Sequence, residues 1–168
     1  MTADPIGARL AELAERVADG DIRFATAESC TGGQLAAALA GHSTLGSHLE
    51  RGYIVYSVDA KCEMLGISRA LAERSQGVGA SVTAALAEAA LDKSRADVAI
   101  AITGFCGPRE ADEEVGLVHL ACAVHGRGTA SRTCHFGEIG RRAVLDAAVA
   151  EALAMLGKAA APQAHIAN

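Results

Sequence analysis

Ser29 is the residue of this chain best placed to do chemistry. It stands in the run Ala25-Thr26-Ala27-Glu28-Ser29-Cys30-Thr31-Gly32-Gly33, between a short apolar segment, 22–27, and a run of helix formers from Gln34 to Ala40. Apolar run, Gly-rich turn and helix formers in that order predict strand, tight turn and helix. A hydroxyl at such a junction meets the free N–H groups and positive end of a helix, which stabilise a nucleophile and the oxyanion it creates. The same pattern admits a plainer reading, in which Ser29 or Thr31 only caps the helix.

A serine nucleophile needs a base, and the sequence offers one by position. Thr103-Gly104-Phe105-Cys106-Gly107-Pro108 forms a second Gly-containing turn after 96–102, a continuous small-apolar run of the kind found in strands buried on both faces. Ligands of open α/β sheets bind at the carboxyl ends of the strands, so both turns are expected at one crevice. A second strand, 52–57, ends there in Tyr56 and Ser57, and Lys61 follows on the first turn of a short helix. None of the histidines lies in these turns, which leaves Lys61 as the candidate base. Burial among apolar groups disfavours a charged amine and supplies the neutral form that takes a serine proton. An exposed lysine on a helix face and a half-buried strand tyrosine are the competing readings. Neither the Tyr-x-x-x-Lys spacing nor a Gly-x-Gly-x-x-Gly turn occurs, which argues against hydride transfer.

The elements that must carry these residues alternate along the chain. Asp4-Pro5 starts a helix with Ile6, Leu10, Leu13 and Val17 on one face, closed by Asp19-Gly20. A strand over 22–27, a helix from Thr31 to Gly41 and the strand over 52–57 follow. Helices are expected over 59–65, from Ser68 to about Ser75 and over 80–93, then the strand 96–102. Strands 116–124 and 129–136 flank the hairpin turn His125-Gly126-Arg127-Gly128, and a last helix spans 140–156. This order predicts an α/β fold: a three-layer α/β/α sandwich whose mixed sheet of about five strands carries helices on both faces. Residues 1–157 are expected to form a single domain and 158–168 a flexible tail.

Composition removes several function classes. The 168 residues, 51% of them apolar, suffice for one full core. Three Phe, two Tyr, no Trp and a net charge of -5 without a basic block speak against nucleic-acid binding. No segment has membrane-spanning length and the first ten residues lack the order of a secretory signal, so the expected location is the cytoplasm, with no membrane partner. Cysteines 30, 62, 106, 122 and 134 are odd in number and form no Cys-x-x-Cys, which fits reduced thiols. The six histidines have no metal-binding spacing, and no metal is expected.

Ala27-Glu28-Ser29-Cys30-Thr31-Gly32-Gly33, Gly52-Tyr53-Ile54-Val55-Tyr56-Ser57 with Ala60-Lys61, Leu65-Gly66-Ile67-Ser68, Thr103-Gly104, Gly107-Pro108, Val115-Gly116-Leu117-Val118 and Phe136-Gly137-Glu138-Ile139-Gly140-Arg141 occur in this order. Together they resemble the C-terminal domain of the competence/damage-inducible protein A (CinA) family, which includes stand-alone nicotinamide-nucleotide amidases. The resemblance runs from about Leu10 to Leu156. It implies hydrolysis of the carboxamide of nicotinamide mononucleotide to nicotinic acid mononucleotide and ammonia, with no metal or organic cofactor. On that resemblance Ser29 attacks the amide carbon, Lys61 is its general base and Tyr56 orients or relays the proton. Amides around Cys30, Thr31, Gly32 and Gly33 and around Thr103 and Gly104 hold the oxyanion, and Arg141 contacts the substrate, at its phosphate. Cys30 belongs to the signature itself but follows the matched serine. The resemblance also implies self-association, at least as a dimer.

The chain departs from the family pattern at three places. Gly77-Val78-Gly79-Ala80-Ser81 stands where the family has Gly-Ala-Val-Ser. Gly107-Pro108-Arg109-Glu110 and Glu113-Glu114-Val115-Gly116 replace a glycine-rich turn and a later Lys-Pro-Val-Gly, and Val144-Leu145 replaces Val-Arg. A stiffer, more acidic loop is less suited to a phosphate, so weak activity or a changed substrate is expected. The alternative is a catalytically silent CinA-like module that binds a nucleotide or a protein.

Overall fold

Side chains of a strand alternate between its two faces, and three strands of this protein sort them by size. The computed structural model describes residues 4–74 and 76–161; Ser75 and the expected tail from residue 162 onward lie outside the described residues. Its elements are α1 (Pro5–Val17), β1 (Phe24–Glu28), α2 (Gln34–Gly41), β2 (Leu49–Ile54), α3 (Val58–Leu65), α4 (Arg69–Glu73) and α5 (Ala80–Asp92). They continue with β3 (Val98–Gly104), β4 (Leu117–Val124), β5 (Gly128–His135) and α6 (Arg141–Ala160). The sheet order is β2-β1-β3-β4-β5, with β1 parallel to both β2 and β3, and β4 and β5 antiparallel. This is the expected α/β sandwich: three parallel strands extended by a hairpin.

One face of the sheet presents Phe24, Val98, Ile100, Ile102, Val118 and Leu120 to α1, α2 and α6. The other presents Ala25, Ala27, Ala99, Ala101, Ala121 and Ala123 to α3, α4 and α5. Large branched residues fill a thick layer on the first side. Alanine against the small residues of α5 makes a thin layer on the second, so α5 lies close over β3 and β4. The consequence at the carboxyl edge is a hydroxyl contact, Thr83 Oγ1 to Thr103 Oγ1 at 2.7 Å, with Thr83 also donating to the Gly79 carbonyl at 2.6 Å.

Local signals explain most boundaries and the structure moves several. Asp4 caps α1 by accepting the Gly7 N–H at 2.9 Å, with Pro5 in the first turn. Ser57 and Ser68 cap α3 and α4 through the Ala60 and Leu71 amides. Helix α2 begins at Gln34 rather than Thr31, because Gly32 (φ 56°) and Gly33 (φ 100°) are left-handed and interrupt the helical path. Strand β2 is Leu49–Ile54 rather than 52–57, an edge strand whose polar Glu50-Arg51 hides its start from an apolar-run reading. Pairing carries β1 to Glu28 and β3 to Gly104, each past its expected end. Helix α6 continues to Ala160, beyond the expected stop at 156. Among the described residues no helix is long and apolar enough to cross a membrane, and no cluster of three His, Cys, Asp or Glu could hold a metal ion.

Candidate active site

The turn after β1 is organised by the residue before Ser29. The Glu28 carboxylate is fully buried at 0% exposure. Its Oε2 accepts from the Thr31 hydroxyl at 2.7 Å, the Gly33 amide at 3.1 Å and the Leu35 amide at 3.0 Å, and its Oε1 accepts from the Ala36 amide at 2.8 Å. A buried carboxylate is tolerated only when its lone pairs are satisfied, and hydrogen bonds to a charged acceptor are each worth about 1.5–3 kcal/mol. The first-turn amides of α2, which a sequence reading leaves free for an anion, are therefore already engaged by Glu28. Nothing in local pattern marks a glutamate at a strand end for this task.

Ser29 projects from the carboxyl end of β1, fixed by its own amide donating to the Ile102 carbonyl of β3 at 3.0 Å. The Lys61 side chain lies on the opposite face of the sheet from α2, 2% exposed, and its Nζ is 3.0 Å from Ser29 Oγ. That Nζ also donates to the carbonyls of Val55 at 2.8 Å and Tyr56 at 3.4 Å. A neutral amine has two hydrogens and one lone pair. With both hydrogens on the carbonyls, the lone pair of a neutral amine would face Ser29 Oγ; with the amine charged, Nζ donates to Ser29 Oγ as well. Burial lowers the Lys61 pKa below the usual lysine value, opposed by the thiols of Cys30 and Cys62. No carboxylate pairs with this lysine among the described residues, which leaves desolvation to favour the neutral form.

Gly77 closes the far side of the amine. Its φ is +76°, and a Cβ there would lie 3.3 Å from Lys61 Nζ and 3.4 Å from Cε. The backbone of residue 77 thus packs directly on the lysine tip, anchored by its amide on the Ala72 carbonyl at 2.7 Å. Sequence reasoning names Gly77 only within a segment that departs from the family pattern and gives it no role. The glycine pair at 77 and 79 was a weak signal for it, since a glycine ahead of a helix has many causes.

The other expected site residues are distributed as follows. Tyr56 reaches the pair through its main chain: its carbonyl is 3.5 Å from Ser29 Oγ, while its side chain is 61% exposed. The Gly32 amide is engaged by the Ser29 carbonyl and the Gly33 amide by Glu28. Neither the Cys30 nor the Thr31 amide donates to a backbone carbonyl among the described residues; the Cys30 N–H lies against its own sulfur. Because Ile102 faces β1, strand alternation turns the Gly104 N–H to the same side, next to Ser29. Thr103 is the packing member of that pair, its hydroxyl buried against Thr83 and the Gly79 amide.

A thiol pair adjoins this turn. The neighbouring Cys106 thiol, together with burial, holds Cys30 well above the ordinary thiol range. Cys106 is held below that range by the Cys30 thiol and by the Arg141 guanidinium, against burial. Cys30 is therefore a protonated neighbour of the nucleophile. Arg141, in the first turn of α6, donates to the Gly107 carbonyl at 2.6 Å. With Cys106, Pro108, Arg109, Val115 and Glu138 it lines a cleft of about 420 Å³. Arg109 is tied to Glu138 and donates to the Glu113 carbonyl at 2.9 Å. Asp112, Glu113 and Glu114 line a separate cleft with Arg74, Gln76 and Phe105, on the α5 side of the loop.

Comparison with known proteins gives a consistent match. The model of the CinA C-terminal domain family fits residues 8–160. A CinA-like protein of Akkermansia muciniphila is 40% identical over 128 residues, which is 74% of this chain and 31% of that protein. The chain thus spans about a third of such curated relatives. Nicotinamide-nucleotide amidohydrolase PncC of Escherichia coli is 38% identical over 134 residues, covering 78% of this chain and 80% of that protein. The crystal structure of competence/damage inducible protein CihA from Agrobacterium tumefaciens superposes with a TM-score of 0.86 at 33% identity, covering 93% of this chain and 96% of that one.

Proposed function

The chain belongs to the CinA C-terminal domain family, and on that premise we propose that it is an amide hydrolase with a Ser-Lys mechanism, acting on the carboxamide of nicotinamide mononucleotide. The name of the PncC relative supports the substrate class. The observation that carries the mechanism is the buried, carboxylate-free Lys61 amine 3.0 Å from Ser29 Oγ. Ser29 Oγ attacks the amide carbon while Lys61 takes the hydroxyl proton. The oxyanion forms beside the Cys30 and Thr31 amides, which bond no carbonyl among the described residues, and the Gly104 N–H, each such donor being worth roughly 3 kcal/mol. Lys61 then returns the proton to the departing nitrogen, ammonia leaves, and a water deprotonated by the same amine hydrolyses the ester.

Arg141 lines the 420 Å³ cleft, and on this reading it is the cation that meets a substrate phosphate. Arg109 is held by Glu138 instead of standing free, which supports weak turnover of a phosphorylated substrate, whereas Asp112, Glu113 and Glu114 line the separate cleft and add nothing to that argument. The same reading places the protein in the cytoplasm as a homo-oligomer working without a cofactor. Ammonia release from nicotinamide mononucleotide, nicotinamide and glutamine tests the proposal. Release from the first substrate is expected, and it disappears in Ser29→Ala. Release that persists in that variant refutes the mechanism.

A further inference from the structure

We propose that Glu28 is a positioning residue of this reaction, the group that keeps the Cys30 and Thr31 amides available to the oxyanion. The inference rests on the hydrolase reading above. The Glu28–Thr31 hydrogen bond of 2.7 Å closes a ring around Ser29 and Cys30, and the Gly32 amide on the Ser29 carbonyl, at 3.0 Å, closes a second turn inside it. Together they fix the two peptide units whose N–H groups bond no carbonyl among the described residues. The start of α2 would otherwise compete for this backbone. Its amides at Gly33, Leu35 and Ala36 all need acceptors, and Glu28 supplies them from below the turn rather than from within it.

The acceptor must be a glutamate carboxylate. Its two oxygens receive four donors across eight residues of chain. Glutamine keeps the shape but must turn its NH2 group toward a donor on one side or the other, losing either the Ala36 amide or the cluster of Thr31, Gly33 and Leu35. Aspartate is one methylene shorter and does not span from Thr31 to Ala36. A carboxylate so close to a forming oxyanion is unfavourable in itself. Here its charge is directed into four donors on the α2 face, while Lys61 works from the α3 face.

The test uses a fluorophosphonate, which reads the Ser-Lys pair and the oxyanion site without the natural substrate. Ser29 Oγ bonds to phosphorus, fluoride leaves and Lys61 takes the hydroxyl proton, while the phosphoryl oxygen occupies the oxyanion position. Mass spectrometry of the intact protein follows labelling at varied probe concentration. Wild type is expected to be labelled at Ser29, and Glu28→Gln about 30-fold more slowly, with the loss in the maximal rate and not in half-saturation. Thr31→Val removes one donor and leaves the carboxylate, and it is expected to be slower by about tenfold; it carries the test if Glu28→Gln does not fold. Rates within about threefold of wild type in a folded Glu28→Gln, or in Thr31→Val when it stands alone, overturn the inference, as does a loss confined to half-saturation. Wild type labelled at Ser29 but inactive on every amide removes the substrate reading and leaves Glu28 in its role. Wild type that is not labelled at Ser29 overturns both.

Discussion

Alanine at position 77 should separate the rate of this protein from its stability. Residue 77 has φ +76°, where an L side chain costs about 1–2 kcal/mol. In a domain of this length, that lowers the melting temperature by about 2–8 °C. The new methyl also lies 3.3 Å from Lys61 Nζ, closer than ordinary van der Waals contact, so the amine must yield by a few tenths of an ångström. Misplacing a reacting group by about 1 Å costs about 100-fold, so a shift of about 0.3–0.5 Å corresponds to roughly 4–10-fold in kcat, with KM unchanged. Gly66→Ala is the control. Its φ is +71°, but the nearest atom is Lys93 Cε at 3.9 Å, far from the amine. Steady-state ammonia release and thermal melting of both variants decide the matter. Gly66→Ala should lose stability alone and Gly77→Ala both stability and kcat. Equal kcat in the two variants would refute the claim that Gly77 sets the position of the lysine tip.

Lys61 must be neutral to act as a base, so kcat/KM should rise with pH through an apparent pKa below that of an ordinary lysine. A profile flat from about pH 6 to 9, with chemistry rate-limiting, would oppose this. The sign for stability follows from the same shift: between the lowered folded pKa and the unfolded one, the unfolded chain binds more protons, and stability rises with pH across that window. Lys61→Met should remove that rise, read as the pH dependence of the urea midpoint. Thr26 Oγ1 is buried without a hydrogen-bond partner, and an unsatisfied hydroxyl costs about 1–3 kcal/mol, so Thr26→Val should stabilise the protein by about 1 kcal/mol. A lower urea midpoint at unchanged slope would show that the hydroxyl has a partner after all.

The layers of the fold were legible because local signals and hydrophobic pattern agreed. Asp4-Pro5, Ser57 and Ser68 are caps readable from a few residues, and the small-apolar run of β3 announces a strand covered on both sides. Polar edge residues blurred β2, where Glu50 and Arg51 give no apolar signal although the backbone pairs with β1. The site was legible only as an order of elements. That Ser29 and Lys61 lie at one edge follows from strand ends and connections, but the 3.0 Å between them depends on packing 32 positions apart in sequence. Glu28 and Gly77 stayed hidden because their partners are set by tertiary structure. A glutamate that caps a helix beginning six residues later matches no capping spacing, and a glycine under a lysine tip looks like any turn glycine. Tyr56 shows a further limit: a sequence names side chains, and here a main-chain oxygen meets the amine.

The alanine face of the sheet governs how this protein can vary over generations. Ala99, Ala101, Ala121 and Ala123 act as spacers of one methyl thickness beneath α5. A larger residue at any of them lifts the helix as a lever, and its raised end carries Gly79 and Thr83 away from Thr103, with Gly77 just ahead in the chain. Among the branched residues on the α6 side, a volume-conserving exchange leaves this edge of the sheet in place. On the α5 side any added volume is felt at the Thr83–Thr103 contact and, through it, beside the lysine.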